Sequence, residues 1–466
     1  MNEDLNINKY PQNNFFANPN EHDKEFFGFF QSAFKLLEDW INSSQINPPV
    51  PLNNSFKFSP PLAQGVTNDD LIDDFREIIL NSYNPYNPGS IAHLDPPALK
   101  ASIISDFIAA GLNNNLLASE LSPSLTKLEE SICNWFSDHL KLPNTSGGIA
   151  ASGGSISNLM ALIIARENSS AKEKNNLVIL LTKDSHISFK KCKKIMGLND
   201  RNFHFVDTNN AGEMSLKSLK HSISYLKSIK MIPFVVVATA GTTIRGAIDP
   251  LKDIADICKK EDIWLHIDGA IGAVFNFSKQ IINKLEGIES CNSITVNPQK
   301  LLGISKTSSL LLVSDNTFLH STFQTGLPYL EEEYSTNNRG ELGLQGSRAA
   351  EVLKLWIGLR SIGIEGIQSI IDSSLLKKIY FESLLDSQKF NIISGPLHIS
   401  TLSPVNLTNE ESIGWSKKIK SKLLKNNYYL SRPLYKKRYY IRAVFGNPFT
   451  EEAHIKEIAS ILNSSI

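Results

Sequence analysis

Four compact apolar runs, Leu177 to Leu181, Phe234 to Ala238, Ile263 to Ile267 and Ser309 to Val313, are each bounded by polar or glycine-containing turns. Helical patterns at Ser155 to Arg166, Ser215 to Leu226 and Leu251 to Glu261 alternate with them. Runs this short and this uniformly apolar suit strands buried on both faces, and their alternation with helices implies an α/β fold with a mainly parallel sheet. Ligands of such sheets collect at the carboxyl ends of the strands. The residues that close each run are therefore the ones to read for chemistry.

The alternation begins near residue 95. Upstream, residues 1 to about 25 are rich in asparagine and lack periodicity, whereas Phe26, Phe29, Phe30, Phe34, Leu37 and Ile41 recur with helical spacing from Glu25 to Ile41. Prolines at 48–51 and 60–61 and a second helical pattern from Thr67 to Ser82 complete an N-terminal arm. Such an arm cannot bury its apolar face alone and needs a second surface. After Arg348 a long helical pattern leads into shorter elements, so the chain divides into an arm (1–94), a large domain (95–350) and a small C-terminal α+β domain (351–466). With 466 residues, 41% of them hydrophobic, there is ample material for a large core.

Charge and cysteine content narrow the function classes. Lysine plus arginine (47) equals aspartate plus glutamate (47), so no global field draws the chain to nucleic acid or an anionic membrane. The basic, aromatic run Tyr428 to Arg442 reads instead as a strand pair with a solvated face. Cys133, Cys192, Cys258 and Cys291 lie far apart, without metal-ligand or disulfide spacing, and read as inert core thiols. The first residues are polar and acidic, and no apolar stretch reaches the ~20 residues of a membrane helix. A cytoplasmic protein with no metal, nucleic-acid or membrane partner is expected.

The chemistry-bearing residues follow the strands. Asp268 closes the run Ile263 to Ile267, where an ionised carboxylate needs a cation to offset its desolvation. Lys300 lies further along, in Asn-Pro-Gln-Lys (297–300). An acid at the end of a buried strand and a lysine in the same domain are what pyridoxal phosphate chemistry requires: one holds the ring nitrogen protonated, the other carries the aldehyde. The small residues around Ala270 leave room for a flat ring. Gly-Gly-Ile-Ala-Ala-Ser-Gly-Gly-Ser-Ile-Ser-Asn (147–158) is a glycine-rich turn feeding a helix, able to bind a phosphate at Gly154 and Ser155 or simply to cap the helix. His186 follows the Leu177 strand, where it can stack on a cofactor or serve the structure. Thr243 follows the Phe234 strand, and Asn297 can donate to a phosphate; Asp249 suits a turn equally well.

Together these segments resemble the group II pyridoxal-phosphate-dependent amino-acid decarboxylases. The likeness runs from about His93 to Gly363 through Ser-Pro-Ser-Leu-Thr-Lys-Leu-Glu (122–129), Gly-Gly-Ser-Ile-Ser-Asn (153–158), His-Ile-Asp-Gly-Ala (266–270), Asn-Pro-Gln-Lys (297–300) and Leu-Lys-Leu-Trp (353–356). The resemblance implies a fold-type I homodimer with active sites at the interface and the arms wrapped around the partner. It implies decarboxylation of an L-amino acid to its amine and carbon dioxide. By position, Lys300 matches the Schiff-base lysine, Asp268 the partner of the ring nitrogen and His186 the stacking histidine, with Gly154, Ser155 and Asn297 at the phosphate. Tyr329 matches the mobile-loop tyrosine that protonates the α-carbon, Arg348 an arginine near the substrate carboxylate and His93 a histidine on the substrate side. The chain departs from the family at Gln299, where histidine is usual, and at Leu301, Ile271, Ala273 and Ala349. Another lyase or aldehyde-forming enzyme of this fold, or a silent scaffold, are the rival readings. Nothing in Tyr83 to Pro97 singles out a substrate side chain.

Overall fold

The computed structural model describes residues 15–51, 60–170, 174–326 and 338–466. Chain contacts divide it into two units, Met1–Asn87 and Pro88–Ile466. In the first unit, α1 (Lys24–Asn42) starts at Asp23, whose side chain accepts from Phe26 N–H, and α2 (Asn68–Leu80) starts at a capping box between Thr67 and Asp70. Neither helix contains a buried residue. Phe29 and Phe75 stack at 6.0 Å, yet Phe26, Phe27, Phe34, Ile78 and Leu80 stay exposed.

The second unit opens with α3 (Lys100–Leu112) and α4 (Pro123–His139) and is built on a seven-stranded sheet. Its strands are β1 (Gly147–Ala151), β2 (Leu177–Thr182), β3 (Phe203–Val206), β4 (Ile232–Thr239), β5 (Trp264–Gly269), β6 (Ser293–Val296) and β7 (Ser309–Val313), in the order β1-β7-β6-β5-β4-β2-β3. The run from β6 to β3 is parallel, and β7 lies antiparallel to both its neighbours. Between the strands run α5 (Gly154–Glu167), α6 (Ser188–Ile195), α7 (Leu216–Ser228) and α8 (Leu251–Glu261). The four apolar runs are strands, as read. The sequence reading overlooked β1, β3 and β6 because glycine, serine and histidine interrupt their apolar character; pairing with neighbours, not composition, makes them strands.

Both sheet faces are covered. Val178, Leu180, Val236, Ala238, Leu265 and Ile267 join Leu219, Ile223 and Ile254 in one core, while Leu177, Ile179, Val235 and Val237 pack with Leu159, Leu162 and Phe189 in another. The two-residue period of a strand produces this partition. On β5 it has a further effect: Leu265 and Ile267 enter the first core, so His266 and Asp268 face α5.

After α9 (Thr317–Phe323), α10 (Glu351–Ser383) is kinked at Gly363, whose φ of 63° a side chain disfavours. Its first part, through Leu355, Leu359 and Ile367, packs in the main core, and its end, at Phe381, enters a C-terminal core with Leu402, Ile419 and Ile458. That core combines β8 (Phe390–Ile392), β9 (Ile399–Pro404), α11 (Glu411–Lys425), a ribbon of β10 (Leu434–Tyr435) and β11 (Arg438–Tyr439), β12 (Ile441–Val444) and α12 (Glu452–Asn463). The run Tyr428 to Arg442 holds a strand pair with a solvated side, where Leu434, Lys436 and Lys437 are exposed, and a buried side with Tyr428, Tyr435, Tyr440 and Arg442, while Arg432, Arg438 and Arg442 donate to side-chain and carbonyl oxygens inside the fold. All four cysteines are free and buried, and burial pushes each thiol up to about 12. Among the described residues no helix is long and apolar enough to cross a membrane.

Candidate active site

The carboxyl ends of β4, β5 and β6 lie side by side. Register pairs Thr239 with Asp268 and Asp268 with Thr295, which places the acid inside β5 with a strand on either side. Asp268 is 4% exposed. Its Oδ2 accepts from Asn158 Nδ2 (3.1 Å) and its Oδ1 from Ala270 N–H (3.3 Å). Both donors are neutral, and no described lysine, arginine or histidine forms an ion pair with it. A carboxylate in that position calls for a bound cation.

Lys300 arrives on the turn Pro298–Lys300 after β6, its N–H donating to Asn297 O (3.1 Å). It lines one cleft with Asp268, His186, Thr239, Thr243 and Ala270. Burial lowers the basicity of its amine, and the charges of Asp268 and Asp95 only partly oppose that. A desolvated lysine whose amine loses its proton more readily can act as a nucleophile. Gln299 beside it accepts from Ser308 N–H, a structural bond that leaves the lysine unencumbered.

His186 comes from the turn between β2 and α6. Ser188 N–H donates to its Nδ1 (3.2 Å), so that nitrogen accepts and the proton resides on Nε2. Burial also lowers the imidazole pKa, which keeps the ring neutral. On the opposite side of the sheet's end, Gly153 turns the chain at φ 122° into α5, whose first turn has no side-chain cap. A Cβ on Gly154 would meet the Asn297 amide at 3.0 Å. That buried amide satisfies all its neighbours when its oxygen accepts from Gly154 N–H (3.3 Å) and its nitrogen donates to Ser309 Oγ (2.6 Å) and Val296 O (3.2 Å). Asn297 thus ties the start of α5 to β6 and β7, leaving the exposed Ser155 at the open helix terminus.

A planar, phosphate-bearing cofactor with a basic ring nitrogen and an aldehyde fits these residues. Among the described residues the acid lacks a cation, the lysine is desolvated, Ser155 is exposed in the first turn of α5, and the buried Thr239 hydroxyl lining the cleft has no partner. Pyridoxal phosphate meets all four needs.

Arg348 and His93 are the residues expected on the substrate side. Arg348 is held from within the fold: its Nη1 and Nη2 bind Glu129 Oε2 (2.9 Å) and Oε1 (3.1 Å), and Nη1 also donates to Ala150 O (3.1 Å). Arg339 Nε joins the same carboxylate at 3.1 Å. Two guanidiniums thus meet one carboxylate, so the buried triad keeps a net positive charge, and Arg348 Nε has no hydrogen-bond partner among the described residues. His93 is exposed, with its ring 5.7 Å from Tyr429. Tyr329 lies outside the described residues.

The sequence reading missed Arg442. Its Nη2 donates to Ala92 O (2.8 Å) and its Nη1 to Thr243 O (2.5 Å), linking the segment before His93 to the loop after β4. It is 7% exposed, burial lowers its pKa to about 10, and no carboxylate pairs with it among the described residues. Its signal was the alternation Ile441, Arg442, Ala443, in which an arginine occupies an inward position.

Comparisons with known proteins identify the family. Residues 58–402 match the family model described as the pyridoxal-dependent decarboxylase conserved domain. The chain is 28% identical over 386 residues to an aromatic-L-amino-acid decarboxylase of Bacillus atrophaeus, covering 80% of each chain. It is 30% identical over 376 residues to the acidic amino acid decarboxylase GADL1 of Xenopus tropicalis, covering 78% of this chain and 72% of that one. The fold matches that of mouse CSAD with a TM-score of 0.87 at 22% identity, over 96% of this chain and 99% of the other. A family match spanning most of the chain and a cleft that suits the cofactor lead to one conclusion: the protein belongs to the pyridoxal-dependent decarboxylases, and is an enzyme that uses pyridoxal phosphate to convert an amino acid into its amine.

Proposed function

We propose that Asp268, Lys300 and His186 contact the cofactor in this cleft and that the substrate is an L-amino acid bound on the Thr243 and Arg442 side. The observation that carries the reading is a buried acid and a desolvated lysine lining one cleft, neither of them paired with a counter-charge among the described residues. When bound, pyridoxal phosphate supplies an electron-withdrawing ring that takes up the electron pair left when the bond from the α-carbon to its carboxylate breaks.

The remaining work belongs to side chains. Asp268 places a negative charge where a ring nitrogen must stay protonated. Lys300 Nζ would hold the aldehyde of the bound cofactor. His186, neutral and with its Nδ1 fixed by Ser188, offers a flat face whose orientation does not wander. The first turn of α5 and Ser155 hold the phosphate through N–H groups and a hydroxyl. Arg442 supplies the positive charge for a substrate carboxylate, with His93 on the same side. The Tyr329 phenol delivers a proton to the α-carbon after carbon dioxide has left.

Carbon dioxide release, measured with each of the twenty amino acids plus 2,4-diaminobutyrate and cysteine sulfinate, is expected to be cofactor-dependent and confined to one side-chain class. Silence with every substrate would remove the reading. Tyr329→Phe is expected to keep releasing carbon dioxide while the amine yield drops and an aldehyde appears at the expense of dioxygen. An unchanged ratio of amine to carbon dioxide would take Tyr329 out of the reaction.

The proposal includes a homodimer with its active sites at the interface. Support comes from the exposed Phe26, Phe27, Phe34, Ile78 and Leu80 on helices without a buried residue of their own. Sedimentation is expected to return twice 51.8 kDa, and a monomer at micromolar concentration would refute it. The functional division remains arm 1–94, cofactor domain 95–350 and small domain 351–466. A cytoplasmic location rests on the sequence reading; recovery of the chain in a secreted fraction would exclude it.

A further inference from the structure

On the α5 side of β5 lies a line of buried polar groups that the chemistry above leaves unused. Trp264 Nε1 donates to Ser293 Oγ (2.9 Å), which lies 3.0 Å from His266 Nδ1. His266 Nε2 lies 3.1 Å from Asn158 Oδ1, which also accepts from Thr295 Oγ1 (2.7 Å). Asn158 Nδ2 then donates both to Asp268 Oδ2 (3.1 Å) and to Ser188 Oγ (3.1 Å), the latter 2.9 Å from His186 Nδ1. Asn158, His266, Ser293, Thr295 and Ser188 are all 1% exposed or less.

The chemistry of the ends dictates every direction between them. An ionised carboxylate only accepts, so the amide nitrogen of Asn158 must face Asp268 and its oxygen must face His266. That oxygen also only accepts, so the His266 proton is on Nε2. Burial lowers the His266 pKa to about 4, the ring is neutral, and its Nδ1 therefore accepts from the Ser293 hydroxyl. Ser293 in turn accepts from the indole N–H of Trp264, which can only donate. In the other branch Ser188 accepts from Asn158 and passes its own proton towards His186 Nδ1. All donors point one way, from Trp264 to the acid and the imidazole in the cleft.

Ordinary packing would explain why each buried group has a partner, since a buried polar group left without one is destabilising. It does not explain why one amide joins Asp268 on β5 directly, and His186 in the turn after β2 through Ser188. We propose that Asn158 is a positioning residue that holds Asp268 as an acceptor-only carboxylate and His186 as its Nε2–H tautomer, with His266 setting the direction of the bonds. The inference rests on the reading of Asp268 and His186 as cofactor contacts.

The first test needs no substitution. Ring-15N spectra of the histidine-labelled full chain, without cofactor, should show both His266 and His186 as neutral Nε2–H tautomers; either ring as Nδ1–H overturns the proposal. The second is the dissociation constant for pyridoxal phosphate in variants. Asn158→Leu and His266→Leu should weaken it by about 10- to 100-fold, the range associated with outer-layer hydrogen-bond partners of a bound group. His266→Gln should stay within about threefold, because glutamine, like the neutral imidazole, offers one acceptor and one donor. Should Asn158→Leu fail to fold, the two His266 variants decide: equal affinities overturn the role assigned to the network. Asp268→Ala separates the layers of the argument. If it binds the cofactor like the parent, the cleft reading falls and the network role with it; if it binds weakly while His266→Leu is unaffected, the network role alone falls.

Discussion

Lys300→Ala is expected to lower turnover by on the order of 10⁴-fold or more, the scale of losing a covalent catalytic group. The loss of cofactor should be as telling as the loss of rate. With the amine gone, the absorption band of the tethered aldehyde disappears, and dialysis strips the cofactor from a chain whose remaining contacts are non-covalent. The fold should not suffer, because removing a desolvated amine with no ion pair among the described residues relieves a burial cost. An unchanged absorption band in the variant would move the covalent role to another residue. The lowered basicity of Lys300 also sets a sign for pH. Its amine becomes available at a lower pH than a surface lysine's, so cofactor attachment should extend to a lower pH than at a surface lysine and fade as acid protonates the amine.

The largest stability effect is expected at Glu129. Its carboxylate, fully buried, holds two guanidinium groups, Arg339 (4% exposed) and Arg348 (8%), and accepts from Ala150 N–H (3.3 Å) as well. Glu129→Ala strands two buried cations, and breaking a buried pair in this way costs about 3–5 kcal/mol. The melting temperature should drop sharply, while Arg348→Ala alone should cost less, since Arg339 still neutralises the acid. Equal melting temperatures for parent and Glu129→Ala would show that the triad carries no stability.

The same site predicts an acid limb. Burial alone would raise the Glu129 pKa, but the charges of Arg348 and Arg339 override it and hold the carboxyl below its ordinary value. A depressed folded-state pKa means that this contribution is complete above the unfolded value, about 4.3, and is lost as the pH falls through the folded one. Because Arg339 Nη2 also donates to Gly148 O and Arg348 Nη1 to Ala150 O, loss of the triad should loosen β1 and the turn into α5. Cofactor affinity should therefore decline in step with stability in the acid range.

Legibility followed the range of the interactions. The strand runs could be read directly because solvent exclusion on both faces leaves a local mark, an uninterrupted apolar stretch. Asp268, Lys300 and the turn at Gly154 were legible because each stands in a short motif beside a strand end. The contact of Arg348 with Glu129 was not legible for the opposite reason: the acid is 219 residues away in the chain. Arg442 hid in a run that looks basic as a string and becomes an inward position only when β12 pairs with β9.

The sequence by itself determined an α/β chain whose acid, lysine and glycine-rich turn sit at strand ends, since alternation and local motif need no distant partner. Tertiary structure alone decided which charges are neutralised internally and which face the cleft. The order β6-β5-β4 sets Thr295 and Thr239 beside Asp268, and the two-residue period turns His266 and Asp268 together towards Asn158 on α5. No one-dimensional pattern encodes that meeting, because it depends on strand order and register, and these are set by the packing of the whole sheet.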